Sequence, residues 1–250
     1  MTVLVNDISR AIASLVVRGQ LMIGFRASGI AFAVSAVLLA VGCGAGSSNP
    51  SADSLISSMK ATANAARSVH ISGSIVMQGQ VVKIDMSFSR SGDASGSVSA
   101  GPVAYSIIVT GGKTYMAPNS AYLKQQGVPA KYCPVLCGKY ANISSSGQQG
   151  VSSSLSMSAI LGKALKALNP RGMTVTGKQT VNGQTAWVLT ASDGTGYIAA
   201  RGKPYLLRVT GTGPGTGGTG SSADFTQWNA VTIPGPPPAS QMVDTSKLPR

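Results

Sequence analysis

Val82-Lys83-Ile84-Asp85-Met86-Ser87-Phe88-Ser89 is the stretch that decides the fold class. Four apolar side chains alternate with four polar ones, and in an extended chain successive side chains point to opposite faces. Val82, Ile84, Met86 and Phe88 therefore share one face, and Lys83, Asp85, Ser87 and Ser89 take the other. This is the pattern of an antiparallel sheet with one covered and one wet face.

The same period extends on both sides. Upstream, Ile71, Gly73, Ile75 and Met77 alternate, with Gly79 marking the turn of a hairpin. Downstream, Ser91-Gly92-Asp93 turns the chain into a weaker Ser/Gly-rich strand. Val103, Tyr105, Ile107 and Val109 then alternate, and Gly111-Gly112 closes a hairpin onto Lys113 to Met116. In the last third, Met173 and Val175 begin a strand, and Asn182-Gly183 is a type I′ hairpin signal. Trp187 and Leu189, then Tyr197, then Tyr205, Leu207 and Val209 mark successive strands, and Asp224 to Trp228 a final one. Gly211 to Ser222 reads as a mobile Gly/Thr loop.

Two segments have helical spacing. Ala52, Leu55, Ile56, Met59, Ala63 and Ala66 follow i, i+3, i+4, i+7, with Ser51 as N-cap and Asp53 in the first turn. Val151 to Leu168 is the second expected helix, ended by Asn169-Pro170. Between Ala117 and Gly150 the period is lost among Pro118, Gly127, Pro129, Pro134 and Gly138, so a long irregular excursion is expected. The fold class read from these residues is α+β, a long antiparallel sheet with two helices.

The first 42 residues belong to a different physical world. Ile30 to Val41 is an uncharged apolar run behind Arg26, ending in Gly42-Cys43. A basic segment, a short apolar core and small residues describe a secretory signal. Cys43 directly after Ala40-Val41-Gly42 is similar to a bacterial lipoprotein signal, which implies a thioether-linked diacylglycerol on Cys43. The competing reading is an uncleaved transmembrane helix, but Ala27 to Val41 is 15 residues, short of the roughly 20 that span a bilayer. Translation from Met1 or from Met22 fits equally. The expected organisation is a signal over 1–42, a flexible tether over 43–50 and one domain over 51–250, on the outer face of the cell membrane.

Past residue 42 the chain has 208 residues, with 11 Lys and 6 Arg against 6 Asp and no Glu. A net charge of +11 on that part points to anionic lipid headgroups or anionic envelope polymers as neighbours. Nucleic acid is not expected, because the basic residues are scattered singly. An exported chain with Cys133 and Cys137 left over points to a disulfide; one distant histidine, His70, supplies too few ligands for a zinc site. No metal, no cofactor and no catalytic residue is expected. His70 has no acid near it in sequence, there is no G-x-S-x-G elbow, and general acid–base chemistry wants a tuned His or paired carboxylates.

Several segments in order carry a resemblance. They are Ser68 to Gly73 after a helix, Gly112 to Met116, Val181 to Gln184, Asp193 to Ile198, Gly202 to Arg208, Ala223 to Trp228 and Ala239 to Asp244. Together they resemble the actinobacterial LolA-like lipoproteins, related to the mycobacterial LppX/LprG family. That resemblance implies a curved antiparallel half-barrel wrapped around two or more helices, with an apolar cavity for acyl chains of lipids or glycolipids. The expected function is a membrane-anchored lipoprotein that binds or transfers such chains, as a monomer. Expected cavity residues are Val82, Ile84, Met86, Phe88, Val103, Tyr105, Ile107 and Val109. The alternative is a non-catalytic envelope-binding module using a basic surface, with Lys124, Lys131, Lys139, Lys163 and Lys166 loosely clustered. Whether the sheet interior is empty or filled separates the two.

Overall fold

The computed structural model describes residues 49–77, 80–144, 155–168, 172–211 and 220–244. The expected signal, Cys43, the Gly79 turn, Val151 to Ser154, Asn169-Pro170 and residues 212–219 lie outside them.

Chain order begins with α1 (Ala52–Ala65), whose Ser51 Oγ accepts a hydrogen bond from the Ser54 N–H at 3.2 Å. Then come β1 (Ser68–Met77), β2 (Gln80–Ser89), β3 (Ala94–Ala100), β4 (Val103–Thr110) and β5 (Lys113–Pro118). The excursion expected to be irregular holds short structure instead: α2 (Ser120–Gln125), a 3₁₀ turn at Ala130–Tyr132, α3 (Cys133–Leu136) and β6 (Ala141–Asn142). Its missing period has a local cause. Asn119 Oδ1 caps α2 through the Tyr122 N–H at 2.8 Å, and elements this short carry too few turns to show a periodicity. The second expected helix, α4 (Met157–Ala167), starts later than expected, because Ser156 is its cap and accepts from the Ala159 N–H at 3.2 Å. The strands β7 (Thr174–Val181), β8 (Gln184–Ala191), β9 (Gly194–Ala199), β10 (Leu206–Gly211) and β11 (Ser221–Thr226) complete the chain.

All of the strands form one open antiparallel sheet in the order β6-β5-β4-β3-β2-β1-β11-β10-β9-β8-β7. Two meanders are joined where β1 pairs with β11, with Ile71 opposite Phe225. One continuous core contains Ile107 of β4, Met86 and Phe88 of β2, Phe225 of β11, Leu189 of β8, and Ile56, Met59, Leu161 and Leu165 of α1 and α4. A flat sheet from β4 to β8 would be about 34 Å wide at ~4.8 Å per strand. Two helices of ~10 Å diameter touch residues across that width only when the sheet curves around them. The architecture is therefore a curved antiparallel sheet with α1 and α4 on its concave side. A second cluster, of Met116, Tyr122, Leu123, Tyr132, Leu136 and Ile143, fills the concave side below β5 and β6.

Strict alternation fails in β10. Leu207, grouped with Val209 by period two, lies on the convex side with Val181, Ala186 and Ala199, while Leu206 is in the main core. The register shift between Leu206 and Arg208 is the reason: a bulge adds one residue and exchanges the faces. Ser221 and Ser222 belong to β11 and not to a loop, and the Ser221 hydroxyl accepts from the Val76 N–H at 3.0 Å. The strand ends at Thr226, because Gln227 has φ 50° and Asn229 φ 62°. At Gly96 the backbone has φ 154°, and an added Cβ would stand 2.0 Å from the Asp85 carbonyl oxygen, so that strand crossing requires glycine.

Candidate functional site

The β1–β5 register sorts the concave face into rows. Phe88, Ala94 and Val109 form the first, nearest the end of α1; Met86, Gly96 and Ile107 form the second. Ile84, Val98 and Tyr105 are the third, and Val82, Ala100 and Val103 the fourth. Burial changes sharply between the second and third rows. Met86, Phe88, Ile107 and Val109 are each no more than 2% exposed, inside the core with the helices. Val82, Ile84, Val98, Val103 and Tyr105 are only half-buried.

The eight residues expected to line a cavity thus divide in two. Met86, Phe88, Ile107 and Val109 are filled core. Val82, Ile84, Val103 and Tyr105 are half-buried apolar side chains, and Lys83 and Asp85 point to the other face. Ile75 lies opposite Val82 and extends the fourth row across β1, while Val98 and Ala100 join rows three and four. Val98 and Ala100 went unremarked in the sequence although Ala94, Gly96, Val98 and Ala100 alternate with Ser95, Ser97 and Ser99; small residues weaken the apolar signal without changing its period.

Tyr105 stands where the two clusters meet, edge-on to Tyr122 with ring centroids 5.6 Å apart. Burial pushes the Tyr105 phenol above its ordinary range, and burial followed by the Tyr105 charge pushes Tyr122 up to about 12. Both phenols stay neutral at physiological pH, which keeps this part of the face uncharged. Cys133 and Cys137 are joined by a disulfide, with Cα atoms 4.8 Å apart, across the turn of α3 beside this cluster.

The convex face carries the polar chemistry. His70 Nδ1 is 3.0 Å from Ser87 Oγ, and Nε2 is 3.5 Å from Asp85 Oδ1. The register of β1 and β2 supplies the acid that sequence proximity did not show. The three side chains lie on a solvated sheet surface, where the β1 and β2 amide N–H groups are engaged in the ladder. Of the expected basic cluster, Lys124 and Lys131 are exposed, and Lys139 Nζ donates to the Ser240 carbonyl at 2.9 Å.

No family model and no curated protein matches the chain. Among solved structures it is similar to LprF from Mycobacterium bovis, at 14% identity and TM-score 0.49, over 74% of this chain and 96% of that one. It is also similar to the lipoprotein LppX of Mycobacterium tuberculosis, at 15% identity and TM-score 0.46, over 75% of this chain and 100% of that one. The MucA/MucB complex of Pseudomonas aeruginosa is a more distant likeness, at 11% identity and TM-score 0.30, over 79% of this chain and 62% of that one. These likenesses carry no function to this chain. Among the described residues no helix is long and apolar enough to cross a membrane.

Proposed function

We propose that this chain is an extracytoplasmic lipoprotein, anchored through acyl groups on Cys43, whose single domain over 51–250 holds acyl chains of a lipid or glycolipid against the third and fourth rows of its concave face. The tether over 43–50 gives the domain reach above the membrane, and the cargo leaves chemically unchanged. The observation that carries this reading is the break in burial. Val82, Ile84, Val98, Val103 and Tyr105 continue the apolar face as half-buried side chains, with Ile84, Val98 and Tyr105 packed against the core and Val103 against the second cluster. Contiguous apolar surface left half-covered on a concave face is what a ligand of hydrocarbon chains fits. Transfer follows from exposure: a chain held on a half-open surface exchanges without the sheet having to unfold. No catalytic step is assigned.

The test is native mass spectrometry of the chain beginning at Gly44, purified from an actinobacterial host, followed by lipid extraction. A stoichiometric phospholipid or glycolipid adduct is expected. A clean apo mass with no uptake of added lipid would overturn the reading and leave the envelope-binding module with its basic surface as the account.

A further inference from the structure

One cleft lies away from the rows just described. It lies beside the last turn of α1, has a volume of roughly 680 Å³, and is lined by Thr62, Arg67, Lys203, Tyr205 and Asn229 with two alanines of α1. We propose that this cleft binds the phosphate group of an anionic ester, a glycerol or sugar phosphate.

Charge is the first argument. Arg67 and Lys203 are exposed, both line the cleft, and no carboxylate lines it with them. The end of a helix would ordinarily repel an anion, because its last carbonyls carry a partial negative charge. Here Arg90 covers them: its Nε donates to the Ala66 carbonyl at 2.8 Å, and its Nη2 donates to the Asn64 carbonyl. The helix end beside the cleft is thereby neutralised, and Arg67 and Lys203 set its potential.

Rigidity is the second. Gln227 and Asn229 both hold the left-handed backbone region without being glycine, a conformation that persists only where surrounding contacts enforce it and that gathers at functional sites. The Asn229 N–H donates to the Ser68 carbonyl at 2.9 Å. Asn229 Oδ1 accepts from the Arg67 N–H, and its Nδ2 donates to the Tyr205 hydroxyl oxygen, both at 2.6 Å. Tyr205 is fixed in turn by stacking on Trp228, centroids 4.8 Å apart, whose Nε1 donates to the Leu206 carbonyl at 2.9 Å. Since the phenol oxygen accepts from Asn229, its own hydrogen is left to donate to a ligand. The Tyr205 hydroxyl, Arg67, Lys203 and the Thr62 hydroxyl then offer donors of two kinds to a group with several acceptor oxygens. Phosphate matches that set, and charge-assisted bonds of this type are the strong ones. The cleft volume leaves room for the ester's body as well.

The measurement is isothermal titration of glycerol 3-phosphate into the full chain reconstituted in phosphatidylcholine vesicles. Saturable one-to-one binding is expected, with none for glycerol. The R67Q/K203Q double variant should weaken it by about tenfold or more, and Tyr205→Phe severalfold, while K83Q/K124Q leaves it unchanged. Arg67→Gln keeps the backbone N–H that Asn229 needs, so the fold is retained, as circular dichroism would show. Repeating the titration in vesicles containing phosphatidylglycerol separates two sources of the same group. Unchanged binding identifies a free or polymer-borne ester, and suppressed binding identifies the lipid headgroup as occupant. Absence of saturable binding, or binding that the double variant leaves intact, would overturn the proposal. The acyl-chain reading stands or falls separately, since neither Arg67 nor Lys203 is on the concave rows.

Discussion

Met86 and Ile84 are two residues apart on one face of β2, and they are buried to different extents. Met86 is 1% exposed within the core, so Met86→Ala leaves a cavity and should cost about 2–5 kcal/mol of stability, read from the urea unfolding midpoint. Ile84 is half-buried, and Ile84→Thr, which keeps the β-branch, should cost less than about 1 kcal/mol while lowering lipid-adduct occupancy severalfold. Equal stability losses for the two would mean that the burial break between the rows is not real. The alternation that groups these residues was legible from Val82 to Phe88 alone. The break was not, because it depends on how far α1 and α4 reach across the sheet. His70 teaches the same lesson on the other face. Its partner Asp85 is close only through the β1–β2 register, which no local pattern announces.

Hairpins were legible wherever the turn chemistry was strong. Asn182 and Gly183 have φ of 50° and 75°, as a type I′ turn requires. A bulge has no such signature, so period two carried Leu207 to the wrong side of β10. Helix ends were set by serine and asparagine caps, of which Ser51 was read and Ser156 was not. The excursion after β5 hides its order because α2 and α3 are too short for a period. Its second cluster yields two measurable consequences. Closing the short Cys133–Cys137 loop removes chain entropy from the unfolded state, about 2 kcal/mol in the loop-closure model. Reduction should accordingly raise hydrogen exchange across residues 119–143 and leave α1 protected; equal loss of protection in both would show that the disulfide supports the whole fold. The tyrosines supply the other. Tyr122 is held neutral up to about 12, whereas an unfolded tyrosine ionises near 10. The folded chain therefore binds the extra proton in between. Its stability contribution is complete below pH ~10 and is lost as pH rises toward ~12, at up to about 1.4 kcal/mol per pH unit. Alkaline unfolding should steepen in that window, and Tyr122→Phe should flatten it.

Joining two meanders into one sheet is the step furthest from local sequence, since β1 and β11 meet across most of the domain. Once joined, the sheet curves, its interior is shared between two helices and a half-buried apolar remainder, and the proposed carrier role requires that the domain be held where lipid is. Among the described residues no helix is long and apolar enough to cross a membrane; the proposed function places the attachment on Cys43. The apolar run before it, Ala27 to Val41, would extend about 22 Å as a helix at 1.5 Å per residue, against a hydrocarbon core of ~30 Å. Two acyl chains on Cys43, at about 0.8 kcal/mol per buried methylene, are sufficient for a stable anchor. Cys43→Ala therefore separates the two modes of attachment. The native chain should enter the detergent-rich phase on Triton X-114 partitioning and carry a diacylglycerol mass increment. The variant should lose that increment and, once its signal is removed, pass to the aqueous phase. If native and variant chains both enter the detergent phase at the same unmodified mass, the uncleaved apolar segment is the anchor. The concave rows would then be held at the membrane by protein rather than by lipid.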